Sequence, residues 1–130
     1  MNLRSDISVQ EPHFRTAARH DSERLEVSVE GEASIDTLDA LSRVLDATHE
    51  EALRLKAKEV VMNLTQLEFL NSSGVKHFVK WLRRASEAGD GNGYRIRLVS
   101  SPLVPWQRRG LEALRCFAPQ RVTVETTAAN

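Results

Sequence analysis

The sequence lacks most of the residue patterns that announce a protein class. It has one cysteine, Cys116, in 130 residues. A single thiol closes no intramolecular disulfide, which excludes a disulfide-framed secreted module. No run approaches the roughly 18 apolar residues that a membrane helix requires. The opening MNLRSD has no apolar stretch and so does not resemble a signal peptide. Aromatic residues make up 5% of the chain, too few for a base-stacking platform. Lys+Arg and Asp+Glu are both 18, so no overall field points to nucleic acid. No Walker loop, dinucleotide fingerprint or nucleophile elbow is present. The histidines, His13, His20, His49 and His77, pair with nothing at metal-ligand spacing. These absences together predict a soluble, cytoplasmic chain that is not an enzyme, with no cofactor, no metal and no membrane contact.

What is present is a globular composition: 41% hydrophobic and 28% charged residues, at a length suited to one core. The charge is unevenly placed. Residues 1–75 carry 8 Lys+Arg against 14 Asp+Glu, and residues 76–130 carry 10 against 4. Such a split either polarises the surface toward a charged partner or is neutralised locally when the halves pack.

The pattern predicts a loose tail over residues 1–12, then a short strand at 13–18 and a turn at 20–23. Leu25, Val27 and Val29 alternate with polar residues as a half-buried strand that Gly31 ends. Ser34 caps a helix in which Ile35, Leu38, Leu41, Val44 and Leu45 share one face. That helix reaches about Leu55, with an interruption expected at residues 49–51. Residues 60–64 form a buried strand, followed by a connection in which Leu67 and Phe69 alternate with polar residues. A second helix opens at Asn71, Ser72, Ser73 and Gly74, with Val75, Phe78, Val79, Leu82 and Ala85 on its apolar side and Lys76, Lys80, Arg83 and Arg84 opposite. A glycine-rich break at 89–93 precedes a strand at 95–99. A third helix runs from Pro105 to Cys116 or Phe117, with a break admissible at Gly110. A last strand spans 121–125.

The order β-β-α-β-α-β-α-β implies an α/β fold, a mixed sheet with helices mainly on one face. Val61, Leu64, Phe78, Val79, Leu82, Leu98 and Val124 are its expected core. Trp81 is expected in the core as well, and Cys116 as a partly buried structural residue.

The unusual segment is the strand-to-helix turn at residues 71–74. Capping by Asn71 or Ser72 would satisfy the first free N–H groups of the helix. Capping needs only one polar residue, and it explains neither the second serine nor a glycine in a first helical turn. The other reading is a modification site, since a phosphate here gains from the helix N-terminus. The cations at 76, 80, 83 and 84 are a solvated face, a surface for an acidic partner, or, less favoured, a polyanion site.

The run NLTQLEFLNSSGV at residues 63–75 resembles the signature of STAS domains, the sulphate-transporter and anti-sigma-factor-antagonist family. In these a central strand ends in a hydrophobic connection and an Asp-Ser-Ser-Gly or Asp-Ser-Thr-Gly turn. Gly31 with Glu32, and Ser101 with Pro102, are similar to further family features, and the likeness covers roughly residues 24–125. The resemblance implies a single STAS-like domain over 13–126, with 127–130 a tail. It implies a bacterial partner-switching antagonist acting in signal transduction and transcription regulation. That antagonist binds a serine kinase of the anti-sigma type when unphosphorylated. The kinase phosphorylates it, and a PP2C-type phosphatase reverses the step. By position the phosphoacceptor is Ser72, Ser73 is the neighbouring hydroxyl, and Asn71 stands where the family has Asp. The chain departs from the family in that Asn, in the absence of a C-terminal helix, and in a long third helix. Trp106 and Phe117 of that helix are expected to cover the face left bare. The alternative is an interaction scaffold that is never phosphorylated.

Overall fold

The computed structural model describes residues 7–21, 23–87 and 93–127. Six strands form one sheet: β1 (Gln10–Glu11), β2 (Phe14–Asp21), β3 (Arg24–Ala33), β4 (Glu59–Leu70), β5 (Arg95–Ser100) and β6 (Val122–Thr126). They lie in sequence order, antiparallel from β1 to β3 and parallel from β3 to β6. Three helices connect the parallel strands: α1 (Leu38–Arg54), α2 (Ser72–Glu87) and α3 (Gln107–Arg115). Among the described residues no helix follows β6, and none is long and apolar enough to cross a membrane. Most of the glycine-rich break expected at 89–93 lies outside the described residues.

Alternation along the strands sorts the sheet into two faces. Leu25, Val27 and Val29 of β3, Val60, Met62 and Leu64 of β4, and Ile96 and Leu98 of β5 enter one core cluster. Leu41, Val44 and Leu45 of α1, Phe78, Trp81 and Leu82 of α2, and Leu111 and Leu114 of α3 join them. The helices therefore pack on a single face, as the order of elements implies. Val79 and Val124 are half-buried against this cluster. Val61 is buried but points to the other face, between its sheet neighbours Glu26 and Arg97. That uncovered face is paved with ion pairs: Arg19 with Glu26 at 2.6 Å, and Arg97 with Glu59 at 3.1 Å and Glu125 at 3.5 Å.

Several expectations are corrected. The segment before the first long strand is docked from residue 7 onward: Ile7 is fully buried, and its carbonyl accepts a hydrogen bond from Thr16 Oγ1 at 2.7 Å. Ile35 is 81% exposed, because residues 35–37 form a 3₁₀ turn that rotates it away from the face α1 buries. Cys116 is exposed. The third helix has nine residues and no break at Gly110, whose lack of a side chain makes room for the Trp106 ring one turn earlier. Phe117 is half-exposed rather than a cover for the sheet.

The interruption expected near residue 49 does not occur either, since the polar residues there are satisfied internally. The Glu51 carboxylate is fully buried and held at both oxygens by Arg54, at 2.6 and 2.8 Å. His49 is buried against Tyr94. Trp81 Nε1 donates to the Tyr94 hydroxyl at 2.9 Å, and that hydroxyl lies 2.8 Å from His49 Nδ1. The indole fills one acceptor position of that oxygen, and the phenol hydrogen finds its acceptor in His49 Nδ1 when the imidazole is neutral with its proton on Nε2. Burial pushes the Tyr94 phenol up. Burial and then Arg84 push His49 below its ordinary value of 6.5, against smaller opposing effects of Glu50 and Asp46.

This predicts a pH dependence. On acidification the unfolded chain takes up the proton first, so the stability held above pH 6.5 is lost as pH falls below that value. Urea midpoints at pH 7.5 and 5.0 will show the wild type weakening. His49→Gln, which keeps an acceptor but does not titrate, will lose that part of the slope.

Candidate functional site

The turn from β4 into α2 sits at the carboxyl ends of the parallel strands, where ligands and partners of open α/β sheets commonly bind. Two features of β4 aim it. Its register against β3 shifts twice, between Ser28 and Glu30 and again between Gly31 and Glu32. Each shift inserts an extra β4 residue, bending the strand. Period two therefore fails, and Leu64 and Leu67, three apart, are both buried. Second, pairing of β4 with β5 stops at Asn63. Beyond it that edge of β4 has no strand to bond.

Side chains of the α3 region take over there. Gln107, fully buried, donates from Nε2 to the carbonyls of Leu64 at 2.5 Å and Leu67 at 3.0 Å. Its Oε1 accepts the Ser101 N–H at 2.8 Å. Trp106 Nε1 donates to the same Leu67 carbonyl at 3.1 Å. Sequence reasoning assigned Gln107 no role. Its only sequence signal is a glutamine among positively charged neighbours at the start of a helix, which is unremarkable until its partners 40 and 43 residues earlier are known.

The turn itself divides labour among its residues. The Asn71 N–H donates to the Ala33 carbonyl at the end of β3 at 3.1 Å. Asn71 Oδ1 accepts the Gly74 N–H at 2.8 Å, which makes Asn71 the helix cap. Gly74 is buried, and a Cβ there would fall 2.4 Å from Leu70 Cδ1. The glycine that capping left unexplained thus leaves room for the end of the Leu70 side chain, which can turn aside. Gly74→Ala will change stability by less than about 1 kcal/mol, alanine's better helix propensity offsetting the shift of Leu70. Chemical denaturation will read this.

Ser72 and Ser73 are both exposed. Among the described residues no hydrogen bond engages either hydroxyl or either backbone N–H. Two spare donors at the positive end of a 16-residue helix therefore lie beside two spare hydroxyls. Lys76, Lys80 and Arg83 are exposed along the same helix and, among the described residues, have no carboxylate partner. Arg84 differs from the expectation of a free surface cation. It is half-buried and paired with Asp46 of α1 at 2.8 Å, since the helix turns it toward its neighbour. The four expected cations are thus three on the surface and one in a helix–helix contact. Exposed apolar side chains, Ile35 at 81% and Leu103 at 68%, follow β3 and β5 at the same end of the sheet as Ser72.

Two solved structures share this architecture. An anti-sigma factor antagonist from Mycobacterium paratuberculosis superposes with a TM-score of 0.64 at 21% identity, covering 92% of each chain. This is the STAS fold. The anti-sigma factor antagonist SpoIIAA, in its unphosphorylated form, gives a TM-score of 0.53 at 15% identity over 90% of this chain and 89% of its own. No protein-family model and no curated protein matches the sequence. The likeness covers about nine-tenths of the chain.

Proposed function

We propose that this chain is a protein-binding module of the anti-sigma factor antagonist kind, switched by phosphorylation of Ser72. The observation that carries the reading is the division of labour at the turn: Asn71 does the capping, leaving the Ser72 hydroxyl exposed and unused. The resemblance of residues 63–75 to the STAS phosphoacceptor motif supports it. So does the STAS fold itself, shared with two anti-sigma factor antagonists.

Unphosphorylated, the module binds a serine kinase of the anti-sigma type in the cytoplasm and so regulates transcription indirectly. The kinase transfers the γ-phosphoryl group of ATP to Ser72 Oγ, the hydroxyl losing its proton and ADP leaving. A PP2C-type phosphatase hydrolyses the phosphoester. Phosphoserine brings about −1.5 to −2 charges at neutral pH. The spare N–H groups of Ser72 and Ser73 can receive that charge without rearranging the fold. In a partner interface the same charge must be desolvated, at a cost of a few kcal/mol, or about a hundredfold in affinity.

The test begins with affinity capture of the kinase on Ser72→Ala, followed by phosphopeptide mapping of wild type after incubation with it. Phosphate on Ser72 is expected. Ser72→Ala will bind constitutively with stability within about 1 kcal/mol of wild type, since its hydroxyl bonds nothing. Ser72→Asp will bind more weakly. Asn71→Asp will still cap and will raise the phosphorylation rate by restoring the family's acidic residue. One observation favours the second reading, a scaffold that is never phosphorylated: Asn71 serves fully as a neutral cap. An unmodified Ser72, with Ser72→Ala and Ser72→Asp equal in affinity, would establish it.

A further inference from the structure

Alongside α2 runs an open groove of about 580 Å³ that the Ser72 switch does not use. Its lining includes Val75 and Val79 of α2 and Phe117 from the turn after α3. The two valines are half-buried and the phenylalanine is 50% exposed. Lys76, Lys80 and Arg83 stand along the groove, with the Arg83 guanidinium 6.0 Å from the Phe117 ring centroid. Glu87, at the far end, is the only acidic residue among the described residues of the lining.

Two physical points set this groove apart from a solvated helix face. Cations near a helix N-terminus oppose the helix dipole, so Lys76 in the second turn of α2 gains nothing from its own helix. Among the described residues none of the three has a carboxylate within ion-pair distance, whereas the adjacent Arg84 has Asp46. An apolar strip flanked by unpaired positive charge on a protein with no net charge is complementary to one kind of partner surface. That surface is apolar along its centre and acidic on its flanks.

We propose that this groove docks an acidic amphipathic helix of a partner protein. Its apolar side chains would seat against Val75, Val79 and Phe117, and its carboxylates would face Lys76, Lys80 and Arg83. Val75 and Val79 are one turn apart, and the groove runs from Val75 to Glu87. That span is about 18 Å of α2, long enough for three turns of a docked helix. A polyanion would match the charges but not the apolar strip. The proposal stands whether or not Ser72 is ever phosphorylated.

The test is a displayed library of random 14-residue peptides, selected on unphosphorylated wild type and counter-selected on the double variant Lys80→Glu with Phe117→Ser. Both positions are exposed, so the variant will fold, and circular dichroism will verify that. Enriched peptides are expected to carry apolar residues at helical spacing flanked by Asp or Glu. By fluorescence polarisation, Lys80→Glu will weaken the selected peptide about tenfold, and Phe117→Ser by a similar factor. Arg43→Glu, on the exposed side of α1, will leave it unchanged. A charge-matched scrambled peptide and a single-stranded oligonucleotide will not compete. Three outcomes overturn the proposal: no enrichment over the counter-selected variant, equal binding of scrambled peptide or oligonucleotide, or self-association of the wild type that the double variant abolishes. No kinase is present and Ser72 is unmodified throughout, so failure here is separate from failure of the phosphorylation switch.

Discussion

Gly31→Ala will cost about 4 kcal/mol, on the order of a third or more of a typical domain's stability. Gly31 lies near the end of β3 at φ +101°, where a residue with a Cβ is strained by about 1–3 kcal/mol. A Cβ there would also fall 2.1 Å from the His13 carbonyl oxygen and 3.3 Å from Phe14 Cα. Both are backbone atoms, one in the turn before the partner strand and one at its first residue, so no rotamer change relieves the contact. The end of the β2–β3 ladder must open, and with it the hydrogen bond from the Glu32 N–H to the His13 carbonyl at 2.8 Å. The damage reaches the functional turn, because β3 ends at Ala33, whose carbonyl receives the Asn71 N–H. Urea denaturation will report the loss. Hydrogen exchange will show the amides of Asn71 and Gly74 opening in step with the end of β3. A variant within 1 kcal/mol of wild type would show that the backbone at Gly31 is not strained in this way.

How far the sequence leads depends on how local the deciding interaction is. Leu25, Val27 and Val29 are placed correctly by alternation alone, and Phe78, Leu82 and Ala85 by helical spacing, because each periodicity reads a single element. The serines at 72 and 73 are legible for the same reason: a strand, a polar turn and a helix follow one another within a dozen residues. Interactions between distant elements are not legible. His49 reads as a lapse in an apolar stripe, and only Tyr94, 45 residues later, turns it into a core residue. Arg84 reads as one of four surface cations until Asp46, 38 residues earlier, claims it. Residues 65–70, the second half of β4, read as a connection because the bulges there break the two-residue period that identifies a strand. Gly31 reads as the end of a strand, although the strand continues to Ala33 through a conformation that glycine makes accessible.

The same reasoning makes Gln107 the residue outside the turn whose loss will be felt most at Ser72. Gln107→Leu keeps the bulk of the side chain and removes every polar atom. It strands the Leu64 carbonyl and the Ser101 N–H in a buried site, while the Leu67 carbonyl keeps its bond to Trp106. Each abandoned group costs about 1–3 kcal/mol, which puts the expected loss near 3 kcal/mol. Gln107→Glu separates a hydrogen-bond role from mere volume. A carboxylate there would face two carbonyl oxygens with nothing to donate, so burial and those oxygens will favour its protonated form. The folded-state pKa of the introduced glutamate will therefore exceed its unfolded value near 4.3, and the variant will grow less stable as pH rises from about 4. That slope opposes the one His49 imposes on the wild type, so denaturation of the two proteins between pH 4 and 7.5 will diverge. Parallel curves would mean that Gln107 only fills space. In both variants the end of β4 will loosen, and the first turn of α2, with Ser72 on it, will lose hydrogen-exchange protection ahead of the rest of the helix.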